Sequence, residues 1–192
     1  ALGRHSSLRV VLDVTPALRQ GAGVGRYARE LARALLARGA FDYVPFVADR
    51  VDPAAARASL GVGFRAVRVI GLPARLHAVL WHRLRLPLPA DRWAGGGDAF
   101  HATDFLAPPL ARARAVVTVH DLSFLRVPDR ADPALRRYLA HAVPRSVRRA
   151  AHVLADSANT RRDIIALLGV DEARVSVAYP GVGAHFRRIE DP

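Results

Sequence analysis

The chain has 192 residues, 51% of them hydrophobic, with 29 basic and 17 acidic side chains and a formal net charge of +12, enough for one globular α/β domain with its own core. Cysteine is absent, which excludes disulfides, thiolate nucleophiles and cysteine-ligated metals. Every basic residue is arginine, so a P-loop is excluded, and with neither an aromatic single-strand platform nor zinc-finger spacing the charge reads as compositional bias, with no nucleic-acid partner expected.

Leu8 to Val14 is short, β-branched and nearly all apolar apart from Arg9 and Asp13, the pattern of a strand buried on both faces of a parallel sheet. After Thr15 come Gly21, Gly23, Val24 and Gly25, then a helical period that places Tyr27, Leu31, Ala34 and Leu35 on one side and Arg26, Arg29, Glu30, Arg33 and Arg38 on the other, with Gly39 as stop. Two readings of the glycines stand: backbone N–H groups gathered for a phosphate, or a tight strand-to-helix connection. The spacing departs from the dinucleotide fingerprint, because the glycines begin well beyond the strand and Arg26 follows them.

A second strand is expected at Tyr43 to Ala48, followed by a short helix capped by Asp52 and Pro53, and a third strand at Phe64 to Ile70. Arg75 to Leu84 reads as a helix with Leu76, Val79, Leu80 and Leu84 toward the core, leaving His77 and His82 at the surface or its boundary. Pro87, Pro89 and Gly95 to Gly97 mark a loop. Asp98 to Ala102 and Ala115 to Val119 are the next strands, and each ends in polar residues, His101 to Asp104 and His120 with Asp121. Ligands of open parallel sheets bind beyond the carboxyl ends of the strands.

Asp132 and Pro133 start a helix that turns Leu135, Tyr138, Leu139, Ala142 and Val143 inward, with Pro144 expected to kink or break it. A strand at His152 to Ala155, a helix from Ser157 to Gly169 and a last strand at Arg174 to Ala178 complete the pattern. Residues 184–192 read as the start of a linker and residues 1–7 as a flexible segment, bounding one domain at 8–183. No apolar run approaches the roughly 18 residues of a membrane span, and residues 1–7 lack a signal-peptide core. A cytoplasmic protein is expected, with peripheral contact to the anionic inner face of a membrane open to the arginine face of Arg136, Arg137, Arg145, Arg148 and Arg149.

Three stretches together resemble the N-terminal half of a GT-B glycosyltransferase of the family 4 (group 1) type. They are Leu12 to Pro16 with Gly23 to Tyr27; Val117 to Phe124, a strand ending in T-V-H-D-L with Pro128 shortly after; and Ala155 to Asp163 with Val175 to Val182. The resemblance implies a Rossmann-like, doubly wound and mainly parallel α/β domain that holds the acceptor, with a C-terminal domain holding most of a nucleotide-sugar donor. It implies retaining transfer of a hexose, mannose or glucose, to a hydroxyl of a glycan or lipid-linked precursor. On it, His120 is the active-site histidine and Asp121 supports its loop; Gly21, Gly23, Val24 and Gly25 approach the donor's phosphates or sugar; His101 and Thr103 line the acceptor side.

The family's paired glutamates, eight positions apart in the donor half, are absent: the glutamates are Glu30, Glu172 and Glu190. This chain is therefore expected to lack that half and to be inactive alone. No Asp-x-Asp triplet occurs, so metal-independent chemistry with no cofactor is expected. Two rival readings remain: an NAD or nucleotide-sugar oxidoreductase with Asp49 as its ribose-binding acid, and a non-catalytic sugar-binding or membrane-docking module.

Overall fold

The computed structural model describes residues 8–21, 23–61, 66–130, 132–183 and 186. The expected segment 1–7 and, apart from Phe186, the expected linker 184–192 lie outside the described residues. Seven parallel strands form one sheet: β1 (Arg9–Asp13), β2 (Asp42–Val47), β3 (Arg68–Val69), β4 (Ala99–Ala102), β5 (Arg114–Val119), β6 (His152–Ala155) and β7 (Val175–Val177). Their spatial order is β3-β2-β1-β4-β5-β6-β7, with every pairing parallel. This is the Rossmann-like arrangement expected, and the strand order reverses between β1 and β4, where such sheets open a crevice at their carboxyl ends.

Alternate residues of β1 feed two cores. Val11 packs with Phe46, Phe100 and Val117 on one face, while Leu12 packs with Val47 and Leu60 on the other. The second face is covered by α1 (Thr15–Arg19), α2 (Val24–Arg38) and α3 (Pro53–Leu60), and the first by α7 (Pro133–Arg149) and α8 (Ala158–Leu168). Short helices α4 (Ala74–Ala78), α5 (Ala90–Trp93) and α6 (Ser123–Arg126) fill the connections. Asp52 caps α3, Asp132 caps α7 and Ser157 caps α8 through their side chains, and Gly39 and Gly169 end α2 and α8 in the left-handed region. No helix among the described residues is long and apolar enough to cross a membrane.

Several expectations need correction. Thr15–Arg19 is a helix rather than loop, with Pro16 in its first turn. The third strand shrinks to Arg68–Val69, and of its expected start Phe64 and Arg65 lie outside the described residues. On α2 the buried side is Gly25, Ala28 and Ala32, a row of small residues that lets the helix approach closely, whereas Ala34 is exposed.

The segment expected as one helix over 75–84 is α4 continued by a π-helical turn at Val79–Arg83. It buries His77 and Trp81, stacked at 4.8 Å, and leaves Leu76, Val79 and Leu84 exposed. An indole removes more apolar area from water than a leucine, so the face carrying Trp81 turns inward. His77 follows it in, with Nδ1 donating to the Ala48 carbonyl at 3.2 Å. On α7 the buried residues run from Ala142 to Val147, while Leu135 and Tyr138 are exposed because the first two turns project past the core. Pro144 lies inside this helix without breaking it.

Candidate active site

The carboxyl ends of β1, β4, β5 and β6 bring one cluster of polar side chains together around His120. Its ring is only 10% exposed. Nε2 lies 3.0 Å from the Thr103 carbonyl and Nδ1 lies 3.3 Å from Asp156 Oδ2. A carbonyl only accepts, so Nε2 is the donor to Thr103. Tyr27 meets the ring edge-on at 4.9 Å and Phe105 at 5.6 Å. Phe105 holds a left-handed backbone, φ 48°, a strained conformation of the kind that persists where neighbours fix it.

A hydrogen-bonded chain underlies that ring. The Thr118 hydroxyl lies 2.8 Å from His101 Nε2 and 3.3 Å from the Tyr27 hydroxyl. Thr103 donates its hydroxyl to the Asp13 carbonyl at 2.8 Å, locking β4 to β1 beyond the last ladder bond. Asp13 Oδ1 accepts from the Thr15 amide at 2.9 Å and the Thr15 hydroxyl at 2.5 Å, and that hydroxyl accepts from Ala48 N at 2.8 Å. The Ser157 cap and Thr160 place the start of α8 against the site, with Thr160 donating to the His120 carbonyl at 2.9 Å.

Burial sets the electrostatics. It raises the Asp13 carboxyl to about 6 against the Thr15 bonds, with Asp104 adding to the rise. Asp104 is also raised by burial, with His120 opposing. Burial, with the nearby His120 charge, lowers His101 to about 4, so it is neutral at physiological pH. Burial also raises the Tyr27 hydroxyl, although its bond to Thr118 opposes this. Among the described residues no three His, Cys, Asp or Glu side chains group so as to hold a metal ion.

The expected site residues divide by what they present. His120 stands at the centre. Asp121 is exposed, and its Oδ1 accepts from Ser123 N at 2.7 Å, fixing the turn into α6. His101 and Thr103 belong to the cluster, yet at 6% and 1% exposure they lie beneath it and offer no side-chain surface to an acceptor in this conformation. Gly21 and Gly23 are exposed, and a Cβ at either would meet nothing. Gly23, at φ 59°, precedes α2 and its helix start carries no side-chain cap. Val24 is half-buried. Gly25 answers to packing: a Cβ there would fall 2.7 Å from the Pro16 carbonyl oxygen and closer still to that of Gln20.

Reading the sequence did not single out Asp13, Tyr27, Thr118 or Asp156 as site residues. An acid inside an apolar strand was the available signal for Asp13, and a strand-end position that for Asp156. Asp49, the acid a dehydrogenase would use on ribose, accepts from Arg50 N and Ala74 N and lies 3.5 Å from Arg19 Nε.

Compared with protein-family models, the chain matches the one described as Glycosyltransferase Family 4 over residues 21–185. The same comparison against curated proteins gives no match. That match spans most of the chain and includes the glycine segment, the His120 strand and α8, so this protein belongs to glycosyltransferase family 4 and is a glycosyltransferase-type domain with a Rossmann-like parallel sheet.

Proposed function

We propose that this domain forms the acceptor-side wall of a GT-B glycosyltransferase that moves a hexose, mannose or glucose, from a nucleotide sugar to a hydroxyl of a glycan or lipid-linked precursor, with retention. A second domain supplies most donor contacts, and the present chain alone has negligible transfer activity. The observation that carries this reading is the clasp on His120, held between the Thr103 carbonyl and Asp156 at the strand ends beside the first turn of α2.

In this reading, the N-terminal end of α2 after Gly23 and the clasped imidazole face a substrate whose leaving group is a nucleoside diphosphate. Fixed donors stabilise charge that grows on the departing phosphate as the glycosidic bond breaks, without a metal ion or other cofactor. Asp121 holds the His120 loop, and His101 and Thr103 fix the strand ends from below.

The test is transfer of labelled sugar from UDP- and GDP-hexoses to lipid-linked and soluble glycan acceptors. It compares the native gene product, its His120→Ala variant and the 192-residue chain. Turnover by the native product, reduced by about 100-fold or more in His120→Ala, supports the reading. Turnover by the 192-residue chain itself would refute the division of labour.

A further inference from the structure

Arginines in this protein differ in what their guanidinium groups meet. Arg9, Arg19, Arg33, Arg126 and Arg161 each meet a carboxylate. Arg85, Arg114, Arg145, Arg148 and Arg149 line one groove of about 780 Å³, and among the described residues none of their guanidinium groups has a hydrogen bond or ion pair. They come from three places: the loop after the π-helical turn, the first residue of β5, and the last turns of α7. No Asp or Glu lines the groove. Pro108, Leu110, Ala115 and Ala142 make its floor.

One further cation shapes the groove from behind. Arg174 Nη2 donates to the carbonyls of Val147 at 3.3 Å, Arg148 at 3.2 Å and Ala150, the open C-terminal end of α7. Those carbonyls would otherwise present the negative pole of the helix to the groove. With them covered, five guanidinium groups line a groove that has no Asp or Glu in its lining, an excess of like charge that is relieved by a bound anion. Planar guanidinium forks match phosphoryl oxygens better than any other side chain. Trp81 is 8% exposed and donates its indole N–H to the Leu88 carbonyl at 3.0 Å, so it offers no face for a base to stack on.

We propose that this groove is a binding site for a ligand carrying at least two phosphoryl groups, distinct from the His120 site and independent of the transfer reaction. Arg114 opens β5 and His120 follows its end, so the two sites are separated by the length of that strand, roughly 20 Å. Such phosphoryl groups have two sources, a soluble oligophosphate or the headgroups of a phospholipid surface. Of the arginine face expected from the sequence, Arg145, Arg148 and Arg149 line the groove and Arg136 and Arg137 do not.

The experiment measures binding of inorganic tripolyphosphate by calorimetry, and co-sedimentation with phosphatidylglycerol vesicles against phosphatidylcholine vesicles. It compares the chain, the triple variant Arg85→Glu/Arg145→Glu/Arg149→Glu, and a charge-matched triple, Arg38→Glu/Arg50→Glu/Arg130→Glu, whose guanidinium groups also lack partners among the described residues. If the groove triple fails to fold, the glutamine set R85Q/R145Q/R149Q replaces it. The expected result is binding weakened by about tenfold or more in the groove triple and by less than about threefold in the matched triple. Tripolyphosphate binding with that pattern assigns a soluble ligand, and vesicle binding alone with that pattern assigns lipid headgroups. The proposal is overturned if neither probe binds or if both triples lose binding equally.

Discussion

Replacing Asp13 by Asn measures what it costs to keep a carboxylate at the end of β1. Burial raises this group from 3.8 to about 6 against the Thr15 bonds. The native state therefore holds the proton more tightly than the unfolded chain, and the group's contribution to stability is greatest below the unfolded pKa, declines as pH rises from 3.8 to about 6, and stays low above that. A shift of roughly two units corresponds to about 3 kcal/mol for a fully enclosed carboxylate. Asp13 keeps partial contact with solvent, and screening brings the figure to about 1–2 kcal/mol. Asparagine has nearly the same shape, and its Oδ1 can still accept from Thr15. Asp13→Asn should therefore be more stable than the parent by about 1–2 kcal/mol near pH 7.5, or about 3–6 °C in Tm, and indistinguishable from it near pH 4. Urea unfolding followed by circular dichroism across that range reads the difference directly. A variant that is less stable near neutrality, or whose difference from the parent is the same at every pH, would refute the reasoning.

His101 should act with the opposite sign. Its pKa falls from 6.5 to about 4 on folding, so the unfolded chain takes up the proton first as pH drops. Stability is lost across that window, and His101→Gln should flatten the acid limb of the stability profile. Gly25→Ala should destabilise by about 2 kcal/mol or more, because the obstructing atoms are all backbone atoms of the Gln20 and Pro16 carbonyl groups, while Gly21→Ala should stay within about 0.5 kcal/mol; thermal unfolding of the pair separates packing from ligand approach. Asp91 is 2% exposed and accepts from the amides of Arg92, Ala111, Arg112 and Ala113, which together hold its carboxyl below the usual range against the effect of burial. Asp91→Ala should cost about 2–4 kcal/mol in urea unfolding, since four amides lose their acceptor at once.

The alternation of apolar strands and amphipathic helices made the parallel sheet legible, because a strand buried on both faces has no polar face to show and Leu8 to Val14 has almost none. The caps at Asp52, Asp132 and Ser157 were legible for the same local reason. What local pattern could not convey was which face of a segment meets the core. Four leucine-type residues between Leu76 and Leu84 outnumber Trp81, yet a π-helical turn rotates the indole inward. In the site, His120 was visible as a polar residue ending an apolar strand. The helical period places Tyr27 on the packing face of α2. Its contact with the Thr118 hydroxyl joins residues 91 positions apart, which no local window contains.

The bonds that hold the His120 cluster have a consequence for how the protein is made. Thr103 reaches Asp13 across 90 positions, Tyr27 reaches Thr118 across 91, and Thr160 reaches back 40 to the His120 carbonyl. A ribosome must release the chain as far as Thr160 before all these bonds can close. Until then the growing edge of the sheet, β5 and then β6, stays open, and the clasp on His120 lacks the start of α8. The site is thus among the last parts of the domain to form during synthesis, and a nascent chain stalled before α8 exposes strand edges that invite mispairing or a chaperone.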